Sequence, residues 1–347
     1  MRPCLGLLFR YIGSPARFRG SGKDVSASFV LTRTLGSEPM KIHCIPGYIS
    51  ALYLVEYPER EEILLLDSGF PSDLERVRFY IEEVLSDGKS APKRMVERLR
   101  LVVATHSHID HAGASKGYEQ CGIPVAYARG MEESYHNPRG HTKQLVETCL
   151  TQFMAGRLGR DKYENPFVFS NGLLGPYWQM PTGPLRLDDG TPLPSGFNDW
   201  VGIKCPGHTS HMICLYHPYT QIFYAADMFV GIRKGFFPPV PIDSPRAYNY
   251  SLHRLRGLPT RCVLLAHGGI IDVNDRCGSW DAFLDDVVHN GRSSATECSR
   301  FTAVSCLKRM RSVFTDHKAS PQDIFPLGSL PLPKEVAELP PLHIIDS

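Results

Sequence analysis

The sequence predicts an α/β fold in which strands and helices take turns along the chain, and three observations carry that expectation. Short β-prone runs recur between Gly, Pro and charged turns. Between them, apolar residues fall at helical spacing, as in Leu74, Val77, Tyr80, Ile81 and Val84. The 347 residues are 42% hydrophobic, enough to furnish the core of one large domain or two small ones. A net charge of +2 excludes disorder as the main state, and 30 Gly and 28 Pro without a period exclude a fibrous chain. No run reaches the roughly 18 to 20 apolar residues of a membrane span.

Residues 28–35, 41–45, 51–56 and 62–66 read as an antiparallel meander, and 72–85 as a helix. A strand follows at 99–104, then a helix after Gly113 and a strand at 124–128. Residues 130–200 differ: a helical run at 143–158 is followed by a stretch rich in Pro, Gly and aromatic residues, which reads as a lid or pocket wall. Strands resume at 201–205, 212–217 and 221–225, with a helix at 245–255 and a buried strand at 262–266. One helical pattern runs through Trp280, Phe283, Leu284 and Val287, and a second through Phe301, Val304, Leu307 and Met310. This gives one domain over 24–320 and a loosely packed, Pro-rich tail over 321–347.

Residues 1–23 hold Arg2, Arg10, Arg17, Arg19 and Lys23 and no acid, beside an apolar set that includes Leu5, Leu7, Leu8 and Phe9. They read as a mitochondrial targeting segment; the alternatives are an extension with a chance excess of Arg and a cytoplasmic protein. Setting those five cations aside leaves 33 basic against 36 acidic residues, which speaks against nucleic acid as a partner. The ten Cys form no Cys-x-x-Cys pair and read as buried fillers.

The chemistry concentrates at Thr105-His106-Ser107-His108-Ile109-Asp110-His111, directly after the apolar run 101–104. Alternate residues of an extended segment point the same way, so His106 and His108 can converge on one cation, and the following turn carries Asp110 and His111 to a neighbouring position. Three further apolar strands each deliver one residue of the same type into a turn: His208 after Cys205, Asp227 after Ala225 and His267 after Leu265. Four such deliveries in order describe a metal site at a sheet edge.

In these motifs the chain resembles the metallo-β-lactamase superfamily, in its hydrolase branch that includes glyoxalase II. The resemblance implies a four-layer αββα sandwich with a dinuclear site at one edge. It assigns His106, His108 and His208 to a first metal, Asp110, His111 and His267 to a second, and Asp227 to the bridge. Asp67, in Leu66-Asp67-Ser68-Gly69, resembles the residue that orients a ligand histidine, although it could instead cap the following helix. Two divalent ions roughly 3.5 to 4 Å apart would make a bridging hydroxide at neutral pH and polarise the scissile bond, with Asp110 and Asp227 as catalytic carboxylates. Zinc suits this donor set, and iron or manganese would also be accepted.

The expected substrate is a small thioester, ester or lactone. Its contacts would come from the aromatic and cationic residues Phe229, Arg233, Lys234 and Tyr248 after the bridge, and from Tyr135, Tyr177 and Trp178 in the insertion; core packing is the competing role for the aromatics. The other readings are a mononuclear iron enzyme resembling persulfide dioxygenase, a metal-dependent nuclease, and a retired family member with a scaffolding role.

Overall fold

The computed structural model describes residues 28–31, 38–86, 94–157, 179–232, 235–239, 241–299 and 343–345. These fall into two compact units. Described residues up to 187, with 194–197 and 343–345, make one; 188–193 and 198–299 make the other. The expected targeting segment 1–23, the helix around Phe301 to Met310, and Tyr177, Trp178, Arg233 and Lys234 lie outside the described residues.

The first unit is built on a sheet with β1 (Ser28–Leu31), β2 (Met40–Pro46), β3 (Ala51–Tyr57), β4 (Glu62–Leu66), β5 (Leu99–Ala104), β6 (Val125–Ala128) and β7 (Arg186–Leu187) in sequence order. A short strand, His343–Ile345, pairs antiparallel with β1, so part of the expected loose tail is an edge strand, joined by backbone hydrogen bonds that composition does not signal. From β1 to β4 the neighbours are antiparallel, and from β4 to β7 they are parallel. The parallel part explains the unbroken apolar runs: Leu64 to Leu66 and Leu101 to Ala104 are all fully buried, as strands covered on both faces must be. Because β4 and β5 run the same way, Asp67 and Thr105 leave the sheet at one edge.

Helices α1 (Asp73–Phe79), α2 (Met95–Arg98), α3 (Ile109–Ala112), α4 (Ser115–Gln120) and α5 (Pro138–Arg157) belong to this unit. The helix expected over 72–85 is α-helical to Phe79 and then widens into a π-turn at Tyr80–Val84, where the Tyr80 hydroxyl meets His43 Nδ1 at 3.0 Å. His43 also reaches Glu56 Oε2 at 3.0 Å, and Arg98 donates to Glu56 Oε1 at 2.7 Å. Burial pushes the Glu56 carboxyl up, but His43 and Arg98 overcome that and hold it down at about 2.

In the second unit, the sheet order is β14, β13, β10, β9, β8, with β8 (Val201–Lys204), β9 (Ile213–His217), β10 (Ile222–Tyr224), β13 (Cys262–Leu265) and β14 (Gly269–Asp272). Between β10 and β13 the chain adds a separate hairpin, β11 (Val230–Ile232) and β12 (Gly235–Phe237). Two antiparallel steps relate β8 to β10, and β10 is parallel to β13, so all three end at the same edge. Helix α6 (Pro245–Leu255) starts where its Ser-Pro signal puts it, with Ser244 Oγ accepting from Ala247 N. Helices α7 (Val273–Cys277) and α8 (Trp280–Ser299) follow, α8 burying Trp280, Phe283, Leu284 and Val287.

Cys44, Cys205, Cys214 and Cys262 are buried thiols; burial pushes Cys44 up to about 12, with Tyr53 opposing, which leaves it inert. Among the described residues no helix is long and apolar enough to cross a membrane.

The buried His43, Glu56 and Arg98 set yields a stability prediction. Replacing Arg98 by Met leaves the Glu56 carboxylate buried without its cation and should cost about 3 to 5 kcal/mol in chemical denaturation. A carboxyl held below its unfolded value stabilises the fold above pH about 4.3, and that contribution is lost as pH falls toward about 2. Glu56→Gln should lack this part of the pH dependence; an unchanged profile would contradict the ion-pair role.

Candidate metal centre

The first unit presents its ligand-type residues from the end of β5. His106 and His108 lie two residues apart in the bend that follows β5, and His106 Nε2 faces His108 Nδ1 at 3.1 Å. His108 is the N-cap of α3 at φ −67°, ψ 150°, and the helix turn puts Asp110 and His111 side by side, with His111 Nε2 3.5 Å from Asp110 Oδ2. The three imidazoles form a tight group, the His106 ring centroid lying 4.7 Å from that of His108 and 4.2 Å from that of His111. Ser68 and Ser50 hold α3 in place by donating to the carbonyls of His111, at 2.9 Å, and Asp110, at 2.8 Å.

Asp67 sits behind this group at φ 63°, a left-handed conformation that costs a non-glycine residue about 1 to 3 kcal/mol and collects at functional sites. Its carboxylate accepts from Thr105 N at 2.7 Å and Thr105 Oγ1 at 2.9 Å, and lies 2.6 Å from His111 Nδ1. The side chain is thus directed to a ligand-type histidine; at the start of α1 it is Asp73 that accepts from the Phe70 and Tyr48 amides, each at 2.8 Å.

The second unit carries the other three residues. Asp227 faces two imidazoles, one with each oxygen: His208 Nε2 is 3.2 Å from Oδ2 and His267 Nε2 is 3.3 Å from Oδ1. This is the geometry of a carboxylate able to serve two cations. Ala226, just before it, is also left-handed at φ 46°. Gly207 allows the His208 turn to lie against α6, since a Cβ there would stand 2.4 Å from the Tyr248 Cα.

Proton positions follow from the partners. Thr105 Oγ1 donates to Asp67 and is left to accept from His106 Nδ1 at 3.1 Å. Asp67 accepts from His111 Nδ1, the Pro241 carbonyl accepts from His208 Nδ1 at 2.7 Å, and Glu147 Oε1 lies 3.5 Å from His108 Nε2. His106, His111 and His208 therefore turn an N–H to a protein oxygen, and the Glu147 carboxylate beside His108 Nε2 favours the same arrangement there, with the lone pair inward. With those tautomers the nitrogens 3.1 Å apart, and the nitrogen 3.2 Å from a carboxylate oxygen, would repel unless a cation lay between them. The ligand atoms of His106 and His108, of Asp110 and His111, and of His208 and Asp227 lie within 4.8 Å of one another pair by pair, and the donor set fits borderline divalent cations.

The substrate-contact expectations divide. Phe229 and Tyr248 are fully buried, which suits the competing core role. Phe229 packs edge-on against Trp280 and Phe283, and the Tyr248 hydroxyl donates to the Met228 carbonyl at 2.8 Å, supporting the turn that carries Asp227. Tyr135 does line a cavity of about 490 Å³, together with Tyr127, His136, His141, Gln144 and Arg186. Its hydroxyl lies 2.9 Å from the Ser107 carbonyl and 2.5 Å from Glu147 Oε2, one proton between two acceptors. Glu147 and Thr105 are the site residues that sequence reasoning missed. Burial raises the Glu147 carboxyl, yet His108, Tyr135 and Lys143 together bring it below the usual range. Its trace in the sequence is that Gln144, Glu147 and Thr148 set polar residues on one covered face of α5.

The Metallo-beta-lactamase superfamily model matches residues 45–267, which is more than half of the chain. This chain belongs to the metallo-β-lactamase superfamily. Membership carries the expected fold class, mixed sheets with helices, and makes the protein a metallo-hydrolase with its reaction open. It is similar to YflN of Bacillus subtilis (strain 168), described as a probable metallo-hydrolase, at 22% identity over 65% of this chain and 83% of that protein. Among solved structures it resembles the superfamily protein ST1585 of Sulfolobus tokodaii (18% identity, 78% of this chain and 98% of that one, TM-score 0.48). The family protein TTHA1429 of Thermus thermophilus is similar at 17% identity, covering 83% of this chain and 91% of that one with a TM-score of 0.46.

If Asp67 orients His111, Asp67→Ala should weaken zinc binding by about 10- to 100-fold in competition with a chromophoric chelator. Affinity equal to that of the unaltered protein would show that the ring is held by other means.

Proposed function

We propose that the chain is a dinuclear metal-dependent hydrolase acting on a small thioester, ester or lactone. In this reading His106, His108 and His208 hold one cation, Asp110, His111 and His267 hold the other, and Asp227 serves both. The observation that carries it is the inward nitrogens: with N–H groups turned to protein oxygens, His106 and His108 face one another, His111 faces Asp110 and His208 faces Asp227. Zinc is the ion the donor set suits best, with iron or manganese the alternatives.

When bound, two such cations supply Lewis acidity, lowering the pKa of water and polarising a carbonyl oxygen. The protein's own part is to hold, orient and take protons. Asp67 and Thr105 fix two rings from behind, and Asp227, only 6% exposed, keeps both oxygens toward the histidines. Asp110, at 8% exposure and flanking His111, is the carboxylate placed to accept a proton from an attacking water. No Ser or Cys nucleophile is required. The small-molecule substrate is favoured by the acid excess of the chain beyond residue 23, since polyanion binders need a basic surface.

The test combines metal content with a substrate panel. The purified protein should carry up to two equivalents of zinc, iron or manganese and should turn over a thioester, an ester or a lactone. Asp110→Ala should lower that turnover by about 10²- to 10⁴-fold. Less than one equivalent of metal, or activity confined to bis-nitrophenyl phosphate while the carbonyl substrates and a β-lactam stay intact, would overturn the proposal.

A further inference from the structure

We infer that Glu147, on helix α5, is a positioning residue that sets the ring of His108, and that Tyr135 locks it there. The inference rests on the metal reading above and adds to it a residue from outside the motif segment. Glu147 Oε1 lies 3.5 Å from His108 Nε2, on the side of the ring opposite Nδ1, which faces His106 Nε2 at 3.1 Å. Glu147 Oε2 takes the Tyr135 hydroxyl at 2.5 Å, and that hydroxyl is also 2.9 Å from the carbonyl of Ser107, the residue before His108. One bracket therefore grips both the His108 ring and the backbone that delivers it.

His108 has particular need of such a bracket. Thr105 and Asp67 hold His106 and His111 through short contacts at the sheet edge. His108 stands at the hinge between β5 and α3, where the chain changes from extended to helical, and it presents Nδ1 instead of Nε2 to the inside. A neutral imidazole presents Nδ1 as a lone pair only when its proton is on Nε2, and a carboxylate next to Nε2 favours that tautomer. Glu147 is well placed for this, with its side chain 17% exposed.

The competing role is a surface ion pair. Lys143 stands one turn before Glu147 with Nζ 3.6 Å from Oε1, an i,i+4 pair of the kind that stabilises a helix by a few tenths of a kcal/mol. A surface pair would leave metal affinity unmoved, and this separates the two roles.

Zinc affinity should be measured on the full chain by chelator competition, beside circular dichroism and the thermal midpoint of the metal-free protein. Glu147→Ala should bind the more weakly held ion of the His106 and His108 group about 10- to 100-fold less tightly, with the metal-free fold unchanged. Tyr135→Phe should show a smaller loss in the same direction, and Lys143→Ala none. Unaltered zinc affinity in a folded Glu147→Ala protein, or an equal loss in Lys143→Ala, would overturn the inference. Should Glu147→Ala fail to fold, unaltered affinity in both Glu147→Gln and Tyr135→Phe is the overturning result. Failure of the unaltered protein to take up zinc, iron or manganese would instead remove the metal reading, and this inference with it.

Discussion

The tautomer of each histidine is the constraint on which the rest of the structure depends. An imidazole is a metal ligand only through a nitrogen that carries no proton, so the groups around each ring bear on which nitrogen stays bare. Here those groups are oxygen atoms behind the rings: Thr105 Oγ1 for His106, Glu147 for His108, Asp67 for His111 and the Pro241 carbonyl for His208. Three of these four groups come from outside the segment that bears the ring. The strained backbone at Asp67 and Ala226 belongs to the same device, since both residues aim a carboxylate or its carrier turn where relaxed backbone would not.

The sheets serve this constraint by bringing turns to common edges. In the first unit the parallel step from β4 to β5 puts Asp67 behind the histidine segment, and in the second the shared direction of β8, β10 and β13 releases His208, Asp227 and His267 at one edge. The cores supply the stiffness. Fully buried Leu64 to Leu66 and Leu101 to Ala104 fix the first set, and the aromatic group of Phe229, Trp280 and Phe283 lies immediately beyond the Asp227 turn. Core packing at Phe229 and Tyr248 thus supports the site from beneath.

The ligand-type residues were legible in the sequence because each lies in a turn segment that follows an apolar strand, where a polar imidazole or carboxylate has no packing role to explain it. The strands were legible for the same reason, to within a residue or two at 51–56, 62–66, 99–104 and 262–266. Glu147 was not, because Lys143 four residues earlier makes it look like an ordinary solvated helix pair, and its contact with His108 exists only once α5 packs beside α3. For Phe229 and Tyr248 the sequence left two roles open, because an aromatic residue near a ligand reads the same whether it faces a substrate or the core; both are buried here. The strand His343–Ile345 was hidden because its pairing with β1 rests on backbone hydrogen bonds that composition does not signal.

Direct observation of the ring protons tests the central claim. In zinc-loaded protein with ¹⁵N-labelled histidine, long-range nitrogen-proton spectra should show the proton on Nδ1 of His106, His111 and His208 and on Nε2 of His108. Imidazolium rings at these positions in the loaded protein, or His108 carrying its proton on Nδ1, would contradict it.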